Sequence, residues 1–219
     1  MLTLYGVYRS RATRPLWLLA ETAMPFVRVP VLQAYRQTGA NADWSGWTTA
    51  SPGFLALNPQ GQIPALADGD VVLTESLAIT LYLARKAGGP LAPATDLETA
   101  QMEQWALFAA TAIEGPALEM YYPIAEGRDK TPDGAALVAI NAEKLRRPLA
   151  RLQSHLAAHP YLVGDRFTAA DINTAECVRY AQGHATLLAE FPAVADWLAR
   201  CQSRAGFKAM WAARLAEPA

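Results

Sequence analysis

The sequence has 219 residues, 52% hydrophobic and 18% charged, which is enough apolar content for one large domain or two modest ones and is not the composition of a disordered chain. Lys and Arg number 19 and Asp and Glu 20, a formal net charge of -1, so no basic excess exists to neutralise phosphates and nucleic acid is not expected as a partner. Cys177 and Cys201 lie far apart and outside metal-ligand spacing, no apolar run approaches the ~18 residues of a membrane span, and the N-terminus lacks a targeting pattern, so a soluble cytoplasmic protein with no metal and no membrane partner is expected.

Leu2 to Tyr5 reads as a short strand. Leu16, Trp17, Leu19 and Ala20 recur at helical spacing between about Thr13 and Thr22, with Pro15 suited to the first turn. Phe26 to Val31 alternates as a second strand, and Pro30, which has no N–H for a ladder, places it at a sheet edge. The stretch from Gln33 to Leu57 is long for a loop; Trp44 and Trp47 argue against plain disorder, and a short helix is expected near Pro52 to Leu57. Ile63 to Ala67 and Val71 to Thr74 flank Asp68-Gly69, a strong hairpin signal. A helix from about Glu75 to Lys86 then stops at Gly88-Gly89-Pro90.

Beyond Pro93 the strand signals end. A helical pattern runs from about Leu97 to Ala125, with Trp105, Phe108, Ala112 and Ile113 on one face. Thr131-Pro132 opens the next helix, whose stripe is Val138, Leu145, Leu149, Leu152 and Leu156, with a kink expected at Pro148. Thr168-Ala169-Ala170-Asp171 has the form of a capping box, and a short helix spans Pro192 to about Arg200. The organisation is a mixed α/β segment over residues 1–86, a linker over 87–94 and an all-α segment over 95–219.

Three motifs resemble the cytosolic glutathione transferases, in that family's order and over essentially the whole chain. Asn58-Pro59-Gln60-Gly61-Gln62-Ile63-Pro64-Ala65-Leu66 is similar to the loop before the third strand, whose proline is cis. Leu73-Thr74-Glu75-Ser76-Leu77-Ala78-Ile79 is similar to the glutathione-binding Glu-Ser pair, and Val163-Gly164-Asp165-Arg166-Phe167-Thr168-Ala169-Ala170-Asp171 to the folding motif of the helical domain. The resemblance implies a thioredoxin-like domain followed by an all-helical domain. It implies glutathione as co-substrate, a homodimer in which first and second domains pair across a two-fold axis, and transfer to a small hydrophobic electrophile.

Glutathione is an acidic peptide, and an extended peptide docks on a strand edge through its main chain. Ile63 and Pro64 are the expected edge. Glu75 and Ser76 at a helix start suit an ammonium and a carboxylate respectively, although a serine there also serves as a plain cap. Gln62, ahead of Arg36, is expected at the glycine carboxylate, and Asn58, Gly61, Thr168 and Asp171 are expected to be structural. Ser10, in the loop before the first helix, resembles the thiol-activating residue of serine-type transferases, with Tyr5 and Tyr8 as rivals and Thr13 a weaker option. The absence of a cysteine before Cys177 disfavours mixed-disulfide chemistry.

Trp105, Phe108, Tyr121 and Tyr122 are candidates to line an acceptor pocket between the domains, where a helical aromatic stripe is otherwise core. Dehalogenation and glutathione-dependent isomerisation remain open within the enzyme class. Outside it, a non-catalytic module for protein assembly or ligand carriage is the alternative.

Overall fold

The computed structural model describes residues 1–218. Its described residues divide into two compact units, residues 1–87 with 204–218, and residues 88–203.

The first unit is built on a four-stranded sheet of β1 (Leu2–Tyr5), β2 (Val27–Val29), β5 (Ala65–Asp68) and β6 (Val71–Leu73) in the order β2-β1-β5-β6. β1 runs parallel to β2 and antiparallel to β5, and β5 antiparallel to β6. Leu2 and Leu4 alternate into the core with Leu66, the period-2 burial of a sheet with one covered face. Pro30 follows β2, which is an edge strand as its missing donor requires. Asp68 pairs with Val71 across the turn, where Gly69 has φ +61, a conformation glycine takes without a Cβ clash.

The long stretch after β2 is ordered. A small parallel pair, β3 (Val31–Leu32) and β4 (Trp47–Thr48), encloses two short 3₁₀ turns, and Trp44 closes it by donating Nε1–H to the Trp47 carbonyl at 3.0 Å. α2 (Pro52–Leu57) buries Phe54 against Val31 and Ala65, with Tyr5, Val29, Leu57 and Ile63 packed around that cluster.

Helices α1 (Thr13–Thr22) and α3 (Ser76–Ala87) complete this part of the unit. Buried Leu16 to Leu19 make α1 apolar on nearly every side. α3 is tied to the hairpin through Asp68, which accepts from the Tyr82 hydroxyl at 2.6 Å and pairs with Lys86 at 2.6 Å. The Lys86 ammonium, followed by that hydroxyl, holds the Asp68 carboxyl below its ordinary range.

The second unit is helical. α4 (Asp96–Phe108) passes through one π-helical stretch, Ala109–Glu114, into α5 (Gly115–Ala125), so the helix expected over 97–125 is continuous but locally widened. α6 (Pro132–Leu156) is capped by the Thr131 hydroxyl and runs through Pro148 without interruption, burying Leu145, Leu149, Leu152 and Leu156. α7 (Ala169–Val178) is buried along its whole length, and α8 (Pro192–Ser203) buries Val194, Trp197, Leu198 and Cys201.

The expected capping box at α7 forms around Asp171. Its carboxylate accepts from the N–H of Thr168 and Leu162, the Thr168 hydroxyl and the Trp197 indole N–H at 2.9–3.1 Å. Burial raises its carboxyl to about 6 despite these four donors. Arg166 of the same motif pairs with Glu98 and donates to the carbonyls of Pro90 and Ala92, pinning the start of α4.

One helix lies outside the elements expected from the sequence: α9 (Ala205–Ala216), which the sequence pattern did not reveal, packs within the first compact unit. Phe207 meets Trp17 edge-on at 4.9 Å, and Arg204 forms a two-pronged pair with Glu21 at 2.8 and 3.0 Å. Gly206 permits this approach, since a Cβ there would lie 2.6 Å from the Glu21 side chain. No helix among the described residues is long and apolar enough to cross a membrane.

Candidate functional site

The sheet register brings three of the predicted segments to one end of the first unit. Tyr5 pairs with Ala65 and Leu66 with Leu73, so the end of β1, the entry to β5 and the exit of β6 lie side by side. The loop holding Ser10, the Ile63-Pro64 step and the start of α3 at Ser76 therefore open from the same edge. Gly6, at φ +149, lets these chains close up: a Cβ there would lie 3.2 Å from Ala12 and 3.8 Å from the Pro64 Cα.

The Ile63-Pro64 bond is cis. Its loop is shaped by buried Asn58, whose side-chain amide donates to the Gln62 carbonyl at 2.7 Å and whose side-chain oxygen accepts from the Gln60 N–H at 3.2 Å. Gly61, at φ +60, passes so close to the Thr49 carbonyl that a Cβ would lie 2.8 Å from it. Asn58 and Gly61 both make their close contacts with main-chain groups of this loop and of Thr49. Gln62 is exposed and Ile63 half-buried, and Ile63 lies just outside the β1–β5 ladder, which ends at Tyr5 and Ala65.

Glu75 is exposed with φ +66, a left-handed conformation that costs a non-glycine residue about 1 kcal/mol or more and that clusters at functional sites. Its carbonyl accepts the Ile79 N–H, so it caps α3 through its main chain. Ser76 is buried and its Oγ accepts a hydrogen bond from the Arg14 guanidinium at 2.7 Å. Arg14 itself is 1% exposed, a cation buried in the first turn of α1 just ahead of its apolar run Leu16 to Leu19. With its oxygen already accepting, the Ser76 hydroxyl is left to act as donor, and the buried guanidinium adds positive potential at a helix N-terminus. This corner is suited to a carboxylate. Sequence reasoning missed Arg14; its signal was one arginine just ahead of the apolar run of α1.

Ser10 lies ahead of α1 without serving as its N-cap. The N-cap is Ala12, without a capping side chain. Ser10 instead organises the loop, donating its hydroxyl to the Val7 carbonyl at 2.6 Å and accepting the Ala12 N–H at 3.0 Å. Thr13 is buried within α1, its hydroxyl on the Ser10 carbonyl at 3.3 Å. Tyr5 is half-buried against the Val31–Phe54–Ala65 cluster, its ring stacked on Trp47 at 6.1 Å and tilted against Phe54. Tyr8 lies under the Arg28 guanidinium at 4.9 Å.

Arg36, expected at a ligand carboxylate, is used within the unit: it donates to the Arg9 carbonyl at 3.0 Å, joined there by the Gln33 amide at 3.3 Å. The reason is the ordered β3–β4 stretch, which folds this arginine back onto the β1–α1 loop.

In the second unit the four aromatic candidates separate. Trp105 is a core residue rather than a pocket wall: it is buried, donates its indole N–H to the Leu162 carbonyl at 3.1 Å and meets Phe108 and His155 edge-on. Phe108 is half-buried beneath Arg151 at 4.3 Å. Tyr121 and Tyr122, more than a dozen residues further along, contact each other edge-on at 5.6 Å, and Tyr121 also meets Tyr180. Tyr122 is half exposed. Burial holds the His155 imidazole below its ordinary pKa, in keeping with a packing role.

A β2-β1-β5-β6 sheet with a cis-proline entry to β5, followed in the chain by a helical unit, defines a thioredoxin-like domain with an appended helical domain. Residues 8–86 match the glutathione S-transferase N-terminal domain and residues 104–205 the glutathione S-transferase C-terminal domain. The chain is 37% identical to glutathione S-transferase 3 of Zea mays over 227 aligned positions, covering 100% of this chain and 90% of that protein. The crystal structure of the theta class enzyme of Xanthomonas axonopodis pv. citri with glutathione bound superposes with a TM-score of 0.77 at 27% identity, covering 95% of each chain. A shorter likeness, 38% over 132 residues, covers 58% of this chain and 30% of elongation factor 1-gamma 2 of Oryza sativa subsp. japonica. The chain belongs to the glutathione S-transferase family.

Proposed function

We propose that the protein is a glutathione S-transferase that joins the thiolate of glutathione to an electrophilic carbon of a small hydrophobic molecule. The observation that carries this reading is the Arg14–Ser76 pair at the start of α3, beside left-handed Glu75 and the Ile63-Pro64 entry to β5. In the proposed complex the γ-glutamyl carboxylate takes the Ser76 hydroxyl and the N-terminal N–H groups of α3, and Glu75 faces the ammonium. The peptide backbone runs along Ile63 and Pro64, and Gln62 reaches the glycine carboxylate.

That placement directs the cysteine toward the β1–α1 loop. Ser10 turns its hydroxyl from the Val7 carbonyl to the sulfur, stabilising the thiolate as the thiol proton passes to solvent. The sulfur then forms the C–S bond, and the electrophile's leaving group departs with the bonding pair. Lowering a thiol pKa by ~2 units requires about 2.7 kcal/mol, within the range of one hydrogen bond to a charged group. Tyr121 and Tyr122 are the proposed contacts of the hydrophobic substrate. A homodimer and a cytoplasmic location complete the reading, both carried over from the family; sedimentation giving a stable 23.7 kDa monomer at micromolar concentration contradicts the dimer.

The likeness to elongation factor 1-gamma keeps a second reading, a transferase-like module for protein assembly. Retention on immobilised glutathione together with conjugation of a model electrophile decides between them, since an assembly module fails both.

A further inference from the structure

The loop that carries Ser10 is held from outside by the segment that follows α9. The Arg9 N–H donates to Glu217 Oε2 at 3.0 Å, and the Arg9 side chain donates Nε–H back to the Glu217 carbonyl at 2.8 Å. Arg28, from β2, donates to Glu217 Oε1 at 3.0 Å, and Arg214 donates to the Tyr8 carbonyl at 2.7 Å. Arg36 and Gln33 donate to the Arg9 carbonyl. The Arg9 N–H, the Arg9 carbonyl and the Tyr8 carbonyl are thus each taken by a distant part of the chain.

We infer that Glu217 is a positioning residue for thiol activation: its carboxylate, clasped by Arg9 and Arg28, fixes the loop so that the Ser10 hydroxyl is presented to the sulfur. The inference rests on the reading of Ser10 given above. A loop free to move by an ångström loses its hydrogen-bond geometry, and the effect falls on the ionised thiol and the transition state rather than on peptide binding. α9 has its own anchors in Trp17–Phe207 and Glu21–Arg204, at its other end, so loss of the Glu217 carboxylate removes the bonds to the Arg9 N–H and Arg28, loosening the loop, and leaves the helix docked.

The test is the pH profile of turnover with the full chain. Glu217→Ala is expected to lower kcat about tenfold and to move the apparent thiol pKa upward, with the KM for glutathione within about twofold of the parent. Glu217→Gln keeps an oxygen for the Arg9 N–H but no charge for Arg28, and is expected to recover part of the loss. With Ser10→Ala already in place, Glu217→Ala is expected to add nothing. An unchanged profile for Glu217→Ala, or a fall in kcat that merely follows a fall in Tm, overturns the inference. Failure of the underlying reading has a different signature: Ser10→Ala alone then leaves the profile unmoved.

Discussion

Replacing Ser76 by alanine separates two roles that the structure assigns to one hydroxyl. Its oxygen accepts from a guanidinium that is 1% exposed, at 2.7 Å, and in the proposed complex its proton goes to a ligand carboxylate. Hydrogen bonds to charged groups are worth roughly 1.5–3 kcal/mol each. The variant therefore loses that amount in folding stability, because a buried cation is stripped of an acceptor, and a comparable amount in glutathione affinity, about ten- to a hundredfold in Kd. Turnover at saturating glutathione changes little, since the carboxylate lies far from the sulfur. Urea denaturation reads the first loss and calorimetric titration of glutathione the second. In a double-mutant cycle, Arg14→Gln on the Ser76→Ala background costs less affinity than Arg14→Gln alone. Full additivity, or a Ser76→Ala protein that binds glutathione as the parent does, refutes the assignment.

Other outcomes follow from packing and charge. Asp171→Ala removes a buried acceptor from four donors and is expected to cost about 3–5 kcal/mol in chemical denaturation, enough to leave little folded protein. The Arg166 guanidinium and the Ala94 N–H hold the Glu98 carboxyl at about 2 in the fold against an ordinary 4.5, so the unfolded chain takes up the proton first. The Glu98 contribution, about 1–2 kcal/mol after screening, is complete above pH 4.5 and lost as pH falls toward 2, and Glu98→Gln flattens that acid limb of the stability profile. Tyr122→Ala is expected to raise the KM for the electrophile with glutathione KM unchanged, whereas Trp105→Ala acts on stability alone, read by Tm.

The sequence made the framework legible where local chemistry dictates structure. Asp68-Gly69 specifies its hairpin, Pro30 an edge strand, and Thr168 with Asp171 a capping box, each within a few residues. What it concealed depends on distant contacts. α9 carries no strong stripe, and its place with α1 is decided by Gly206 meeting Glu21 and Phe207 meeting Trp17. The short strands β3 and β4 stabilise each other across a long separation, and the pairing turns Arg36 back to Arg9. At the site, Glu75 and Ser76 were legible as a motif, but the Arg14 bond joins residues 62 positions apart. The aromatic stripe of α4 and α5 showed the usual ambiguity of periodicity: Trp105 serves the core and Tyr122 faces outward.

In the proposed function Ser10 ionises the thiol of bound glutathione, and titration of thiolate absorbance in the glutathione complex, for the parent, Ser10→Ala and Tyr5→Phe, reads that step. The expected result is a bound thiol whose pKa lies ~2 units below the ordinary ~8.5, returned most of the way by Ser10→Ala and unmoved by Tyr5→Phe, whose ring is packed between Trp47 and Phe54. A bound thiol titrating at its free value, or one that responds to Tyr5→Phe and not to Ser10→Ala, contradicts it.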